Sequence, residues 1–266
     1  MTDATATQKR IKSWTFNQRS HERLISIASP LALLLVWEIL ARAGIIDMRF
    51  FPAPSQIMRT LWGMVQSGEL QHHTMASMTR LGIGFVLGGI PALVIGVLMG
   101  LNSTIRAMID PLIAATYPIP KSSILPLALL VLGLGEASKY FMVAVGVFYP
   151  IAMNATTGVR EINKIYLDVG HNFKASRWEI FRTIALPGAM PMIMTGVKLG
   201  IGMGLVLIAI AEMVGAKSGL GYLIWNAWET FSVEQMYVGL FVIAVIGFIL
   251  TVVANELEKI LVPWKN

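Results

Sequence analysis

The sequence predicts an all-α protein whose six helices cross a lipid bilayer, and three observations lead to this fold class. Of its 266 residues, 55% are hydrophobic and 14% are charged, whereas soluble domains carry about 25% charged residues. Six apolar segments come close to the roughly 20 residues that a helix needs to span a bilayer core. Basic residues cluster before the first segment and again around residues 160–182, which six crossings place on one side, as the positive-inside rule requires.

The six segments follow one another with loops of unequal length. The third is interrupted by prolines, and the fifth carries Gly196, Gly200 and Gly204 at a spacing that lets helices approach closely. That spacing fits packing within the chain as well as a dimer interface or the wall of a pathway. In chain order the segments lie at about 24–44, 80–101, 110–132, 137–158, 191–215 and 236–258.

This topology places both termini in the cytoplasm. Residues 1–22 are expected to form a cytoplasmic arm, and residues 23–79 the first membrane helix and an outer loop with an amphipathic helix at 56–65. Residues 80–258 are expected to form a core of five membrane helices, and residues 259–266 a cytoplasmic tail. We expect no cleaved signal peptide, because the first apolar run follows a polar arm and is long enough to span.

A polar stretch at residues 168–187 separates the fourth and fifth segments. Ser176 and Glu179 have the spacing of a capping box, in which each side chain binds the other residue's backbone N–H, and Pro187 is expected to stop the helix that follows. The pattern predicts two short helices joined by a turn at 174–176, which present apolar side chains to another protein. Those side chains share two helical faces: Val169 with Phe173, and Trp178 with Phe181 and Ile184.

This stretch resembles the cytoplasmic EAA loop of permease subunits in bacterial ABC importers. That signature reads Glu-Ala-Ala, three residues, Gly-Ala-Ser and then a helix ending Ile-x-Leu-Pro. Residues 168–170 stand where Glu-Ala-Ala is usual, and Lys174 stands where Gly, which suits a left-handed turn, is usual. Residues 118–127, 133–136 and 211–221 are similar to the nitrate/sulfonate/taurine-type branch of the family. The direct matches in the loop are Ala175, Ser176, Ile184, Leu186 and Pro187.

The resemblance, which covers roughly residues 30–265, implies a non-catalytic subunit in a bacterial inner membrane. Two copies of the chain, embedded in lipid, would form the pathway, two separate ATPase subunits would dock under the polar stretches, and a periplasmic binding protein would deliver a small anion. Sulfonate, taurine, nitrate and bicarbonate are all compatible with it. The coupling residues that it implies are Asp168, Gly170, Lys174, Ala175, Ser176, Trp178, Glu179, Phe181, Leu186 and Pro187.

Three charged residues fall within or at the end of apolar segments and are candidates for lining the pathway: Lys121, Lys198 and Glu212. A basic residue at mid-bilayer costs about 2.5–3.5 kcal/mol, so such residues usually face a bundle interior or water. If both lysines face the pathway, it should prefer anions. The alternatives are that Lys121 binds backbone carbonyls freed by nearby prolines and that Lys198 extends toward the membrane surface.

Several classes of function are disfavoured by what the sequence lacks. With no cysteine, the chain has no disulfide and no thiolate catalysis, and it has no phosphate loop for ATP. His72 and His73 lack the carboxylate spacing of a metal site, so we expect no metal or cofactor. The basic residues follow topology, which argues against nucleic acid. A stand-alone secondary transporter or channel would need acidic or histidine relays, and a membrane enzyme or scaffold would need a polar constellation on facing helices; none is visible.

Overall fold

The computed structural model describes residues 25, 26 and 28–265, apart from the side chains at positions 167, 171, 177 and 265, and these residues form helices joined by short turns and loops, with no β-strand. The predicted arm at 1–22 and the start of the first predicted membrane helix lie outside the described residues. The elements are α1 (28–42), α2 (Pro54–Ser67), α3 (Glu69–Leu101), α4 (Ser103–Thr116), α5 (Leu125–Leu132), α6 (Glu136–Arg160), α7 (Lys164–Asn172), α8 (Arg177–Ile180), α9 (Leu186–Met213), α10 (Leu220–Glu229) and α11 (Val233–Leu261).

Four helices of the described part are long and apolar enough to cross a membrane: α3, α6, the continuous helix Trp178–Met213 that contains α9, and α11. A fifth crossing is present if α4 and the segment Lys121–Leu132 count as one span, although the two halves meet at 90°. The break falls in the proline-rich stretch where the sequence predicted an interrupted third segment. The count of six crossings stays a prediction, because the first segment begins before the described residues.

The described part of the chain divides into two compact units, one that ends at residue 63 and one that begins at residue 64. Within the first unit, Glu38 on α1 binds the start of α2. Its carboxylate accepts hydrogen bonds from the Ser55 backbone N–H at 3.0 Å and from the Ser55 hydroxyl at 2.7 Å. The side chain of Arg42 donates to the same carboxylate. A carboxylate at a helix N-terminus satisfies N–H groups that have no partner inside the helix, so Glu38 fixes where α2 begins.

In the second unit, α3, α6 and α9 pack closely because glycines occupy the contact positions. A Cβ atom at Gly88 would lie 2.3 Å from the Ala144 carbonyl oxygen, and one at Gly196 would lie 2.8 Å from the Pro150 oxygen. Neither distance leaves room for a side chain. The glycine stripe of the fifth predicted segment therefore faces α6 of the same chain, which is the first of the alternatives that its spacing left open.

Candidate docking surface and polar cluster

A tight turn connects α7 to α8 at the end of the bundle where α6 finishes and α9 begins. The Ala175 N–H donates to the Gly170 carbonyl oxygen at 3.0 Å, which closes the end of α7 as in a Schellman motif. Lys174 lies in the left-handed conformation, with φ of 55°. This is the conformation that the glycine of the family signature adopts easily, and here a lysine adopts it. The turn predicted at residues 174–176 is thus present.

The capping box predicted at the start of α8 is confirmed. The Ser176 N–H donates to Glu179 Oε2 at 2.7 Å, and the Glu179 N–H donates to Ser176 Oγ at 3.3 Å. These two reciprocal bonds satisfy backbone donors that a helix leaves open at its N-terminus. The entry into the helix is therefore fixed by side chains of its own first turn.

The prediction that Pro187 stops this helix is wrong. Residues Trp178–Met213 form one helix of 36 residues. The segment Phe181–Ala185 is a π-helix, and the Leu186 N–H bonds to the Phe181 carbonyl oxygen, one residue further back than in an α-helix. Pro187 is then one of the first two residues of α9, directly after the stretch in which the α-helical hydrogen-bond pattern is already interrupted. The wider π turn accommodates the proline that the sequence pattern assigned to a helix end.

One face of α7 and the adjoining turn expose a group of apolar side chains, which we call the apolar patch: Ile165, Tyr166, Val169, Phe173 and Trp178. The most exposed is Phe173, at 81% of its full accessible surface. The predicted grouping of Trp178 with Phe181 and Ile184 is only partly right. Phe181 is half-buried against the core, and Ile184 is so close to Gly170 that a Cβ there would lie 3.0 Å from Ile184 Cδ1.

The other residues implied for coupling surround the patch without belonging to it. Gly170 is buried, Ala175, Leu186 and Pro187 are half-buried, and the remaining members are exposed and polar: Asp168, Lys174, Ser176 and Glu179. Exposed charge beside exposed aromatic rings is unsuited to the lipid core, since carboxylates are costly there. This surface belongs outside the hydrocarbon region.

A second polar site lies at the opposite end of the bundle and was missed by the sequence analysis, which found no polar constellation on facing helices. Its centre is Arg80 on α3, whose side chain is only 6% exposed. The guanidinium donates through Nη1 to Glu212 at 2.9 Å and to the Ser218 carbonyl oxygen at 2.6 Å. Through Nε and Nη2 it binds both carboxylate oxygens of Glu136, at 2.6 and 2.7 Å.

Glu212 joins α9, α3 and the start of α10. Its carboxylate, which is 0% exposed, also accepts from the Ser77 hydroxyl at 2.7 Å and the Gly221 N–H at 3.0 Å. Two further N–H groups of α10 are bound by α3: Leu220 by Ser77 Oγ at 2.8 Å and Gly219 by His73 Nδ1 at 3.1 Å. We call Arg80, Glu136, Glu212 and these partners the polar cluster.

The glycines of the sequence 218–221 are required by the polar cluster. A Cβ at Gly219, where φ is 115°, would lie 2.2 Å from the Glu212 carboxyl carbon, and one at Gly221 would lie 2.1 Å from the Ala209 oxygen. In residues 218–221 the backbone therefore passes too close to the buried Glu212 carboxylate and to α9 to leave room for side chains at the two glycines. The signal that could have revealed the cluster is that Arg80, Glu136 and Glu212 all stand at the outer ends of predicted segments.

The three candidate pathway residues each have local partners. Lys121 Nζ donates to the carbonyl oxygens of Thr116, Tyr117 and Ile119, at 3.1, 2.8 and 2.9 Å, and lies 4.1 Å from the centroid of the Tyr149 ring. These contacts stabilise the bend between α4 and α5. They match the alternative in which Lys121 binds backbone carbonyls freed by nearby prolines. Lys198 forms an ion pair with Glu258, which joins α9 to α11. Glu212 is held in the polar cluster. A pathway role for any of them stays a prediction.

Comparison with known proteins identifies the group to which these features belong. Residues 92–266 match the family of the binding-protein-dependent transport system inner membrane component. The taurine transport system permease protein TauC of Escherichia coli (strain K12) is 33% identical over 253 residues, which cover 92% of this chain and 91% of TauC. The putative aliphatic sulfonates transport permease protein SsuC of the same organism is 32% identical over 235 residues, 88% of this chain and 89% of SsuC.

The fold is also found among solved structures. A native crystal form of the inward-facing MetNI methionine ABC transporter matches with a TM-score of 0.62, covering 76% of this chain and 98% of that chain. The sequence identity is 15%, so this likeness concerns the fold alone.

Proposed function

This chain belongs to the family of binding-protein-dependent transport system inner membrane components, and from that membership we propose that it is the permease subunit of an ATP-driven importer of a small anionic solute. The choice of an anionic group rests on relatives named for taurine, a zwitterion that carries a sulfonate, and for aliphatic sulfonates. Nitrate and bicarbonate, for which further relatives are named, are smaller oxyanions and stay within the proposal.

The observation that carries the proposal is the apolar patch on a polar, water-facing segment. Phe173 and Trp178 are large, exposed and next to a helix that continues into the membrane. Exposed aromatic side chains grouped in this way are typical of protein interfaces, where they become buried anchors. We propose that a cytosolic ATPase subunit covers the patch and that two such subunits serve two copies of this chain.

The remaining parts of the assembly follow from this placement. If the apolar patch faces the cytoplasm, the polar cluster lies at the outer end, where a periplasmic binding protein would release the solute. With six crossings, as the sequence predicts, both termini would be cytoplasmic. Lys121 stays our first candidate for a pathway wall, because its Nζ lies over Tyr149, which also lines a groove of about 570 Å³ between α3, α5 and α6. Lys198 is neutralised by Glu258 and adds little net charge.

Reconstitution tests the proposal. The chain should be placed in proteoliposomes with a partner ATPase and a binding protein, and uptake of taurine, nitrate and bicarbonate measured with and without ATP. We expect anion uptake only when ATP and both partners are present, and no nucleotide binding by the chain alone, which has no phosphate loop. Uptake by the chain alone, driven by an ion gradient, would instead establish the stand-alone transporter.

A further inference from the structure

A groove of about 560 Å³ opens beside the polar cluster, between α3 and α6. Its size is within the range of small-molecule sites. It lies at the start of α6, whereas the apolar patch lies beyond the other end, about 36 Å away along a helix of 25 residues. Most of the surface that faces the groove is apolar, and two charged side chains are among those that line it. The lining residues are Gln71, His72, Met75, Ala76, Thr79, Arg80, Glu136 and Tyr140.

Two carboxylates bind Arg80, and they differ in how easily they can leave it. Glu212 is completely buried and has two other hydrogen-bond donors, the Ser77 hydroxyl and the Gly221 N–H. Glu136 is the first residue of α6, its side chain is 50% exposed, and its two carboxylate oxygens are bound by Arg80. Rotating Glu136 into water would therefore cost little desolvation, whereas removing Glu212 would leave buried donors without an acceptor.

If the Glu136 side chain rotates away from Arg80, the charges around the groove favour the binding of another anion in its place. Lys139 is buried, donates to the carbonyl oxygens of Leu134 and of the residue after it, and interacts electrostatically with Arg80 and both glutamates. Two buried cations therefore face two carboxylates. When Glu136 turns away, one positive charge is left uncompensated at the groove, and a buried charge without a partner is costly.

The shape of the vacated position selects the class of anion. Nε and Nη2 of Arg80 form a fork that holds two oxygens of one carboxylate, at 2.6 and 2.7 Å. A planar guanidinium binds carboxylate and similar oxyanions in this two-point manner, which a lysine cannot reproduce. A sulfonate also presents two oxygens at one end of a small molecule.

We propose that this groove is a binding site for the small oxyanion that the importer carries, and that the anion takes the place of the Glu136 carboxylate on Arg80. Glu136 acts as an internal competitor that keeps the site neutral when no solute is present. The inference rests on the proposed function, because it assumes that an anionic solute arrives at this end of the bundle.

The test is the affinity of the assembled transporter for taurine and for sulfate in Glu136→Gln, measured by titration calorimetry in detergent. An amide neutralises the competitor and holds the guanidinium with about half the strength of a carboxylate, so we expect binding about tenfold tighter than in the wild type. The matched control is Glu256→Gln, which removes a carboxylate from the exposed ion pair with Lys259 and should leave the affinity within about twofold.

Glu136→Asp provides a second variant if Glu136→Gln does not assemble. Its shorter side chain keeps the charge and loses reach, so it should also bind the anion more tightly, by a smaller factor. The inference is overturned if the Glu136 variant that assembles binds the anions no more tightly than the wild type does. It is also overturned if the wild type binds none of the tested anions. Uptake by the wild-type transporter, measured in parallel, distinguishes this inference from the proposed function. If the wild type takes up the anion with ATP but the Glu136 variants show no change in affinity, the proposed function is retained and only this binding site is rejected.

Discussion

Replacing Phe173 by alanine should weaken docking of the ATPase without disturbing the permease fold. Phe173 is 81% exposed, so it contributes little to packing within the chain. An aromatic side chain buries about 150–250 Å² at an interface, and at about 25 cal/mol per Å² the loss of some 100 Å² corresponds to about 2.5 kcal/mol. Truncation of an interface anchor commonly costs about 2 kcal/mol or more. We therefore expect the dissociation constant to rise by about 30-fold or more.

The chain offers a matched control in Phe231. This residue is also a phenylalanine, it is 86% exposed, and it lies in the turn before α11, at the opposite end of that helix from Glu258. Phe231→Ala removes the same atoms from an equally exposed position. On our placement of the membrane it faces outward, so it should leave ATPase affinity within about twofold.

The assay is the affinity of the purified ATPase subunit for detergent-solubilised permease, measured by biolayer interferometry for the wild type and both variants. The thermal midpoint of each permease alone should agree within about 2 °C, because neither residue is buried. A change of less than about threefold in Phe173→Ala, or an equal loss in Phe231→Ala, would show that the apolar patch is not the docking surface.

Substitutions at three other residues, Glu212, Lys121 and Lys174, test the remaining assignments. Glu212→Ala leaves the buried Arg80 without one of its two carboxylates, a loss of about 3–5 kcal/mol, and should lower the thermal midpoint by about 10 °C, whereas the exposed Glu256→Ala should change it by less than about 2 °C. Lys121→Gln should lower anion uptake per assembled complex, and Lys121→Glu should lower it further; if only protein yield falls, the lysine serves the bend alone. Lys174→Gly should protect the turn from limited proteolysis and Lys174→Val should expose it, because a left-handed residue costs about 1–2 kcal/mol unless it is glycine.

The features that the sequence predicted well are those set by neighbouring residues. The capping box needs only Ser176 and Glu179, three positions apart, and both bonds are present. The turn at residues 174–176 was predicted from the break between the two short helices, whereas the left-handed conformation of Lys174 was not predicted, because lysine adopts it less readily than glycine. Spanning helices such as α3 and α6 follow from apolar runs of sufficient length, since the bilayer leaves the backbone no other way to satisfy its hydrogen bonds.

The features that the sequence did not predict depend on residues far apart in the chain. Arg80 and Glu212 are separated by 132 positions, and Lys198 and Glu258 by 60. Nothing in a single sequence says which buried charges will meet, because the answer depends on helix packing. The error at Pro187 has another cause. A proline normally marks a helix boundary, but here the helix continues through it just after the π-helix at Phe181–Ala185, and α3 and α6 likewise continue through Pro91 and Pro150.

The helix Trp178–Met213 physically connects the two sites. At 1.5 Å per residue its 36 residues span about 54 Å, from Trp178 in the apolar patch to Glu212 in the polar cluster. Over most of this length it packs against α6 at glycine contacts that leave no room to slide sideways. A force applied at Trp178 can therefore have two effects. It can deform the π-helix, whose wide turn is the least regular part of the helix, or it can displace Glu212 relative to Arg80. Coupling between the proposed ATPase and the proposed anion site requires the displacement of Glu212. The stiffness of residues 181–185 therefore determines how much of a movement at Trp178 is transmitted to the anion site.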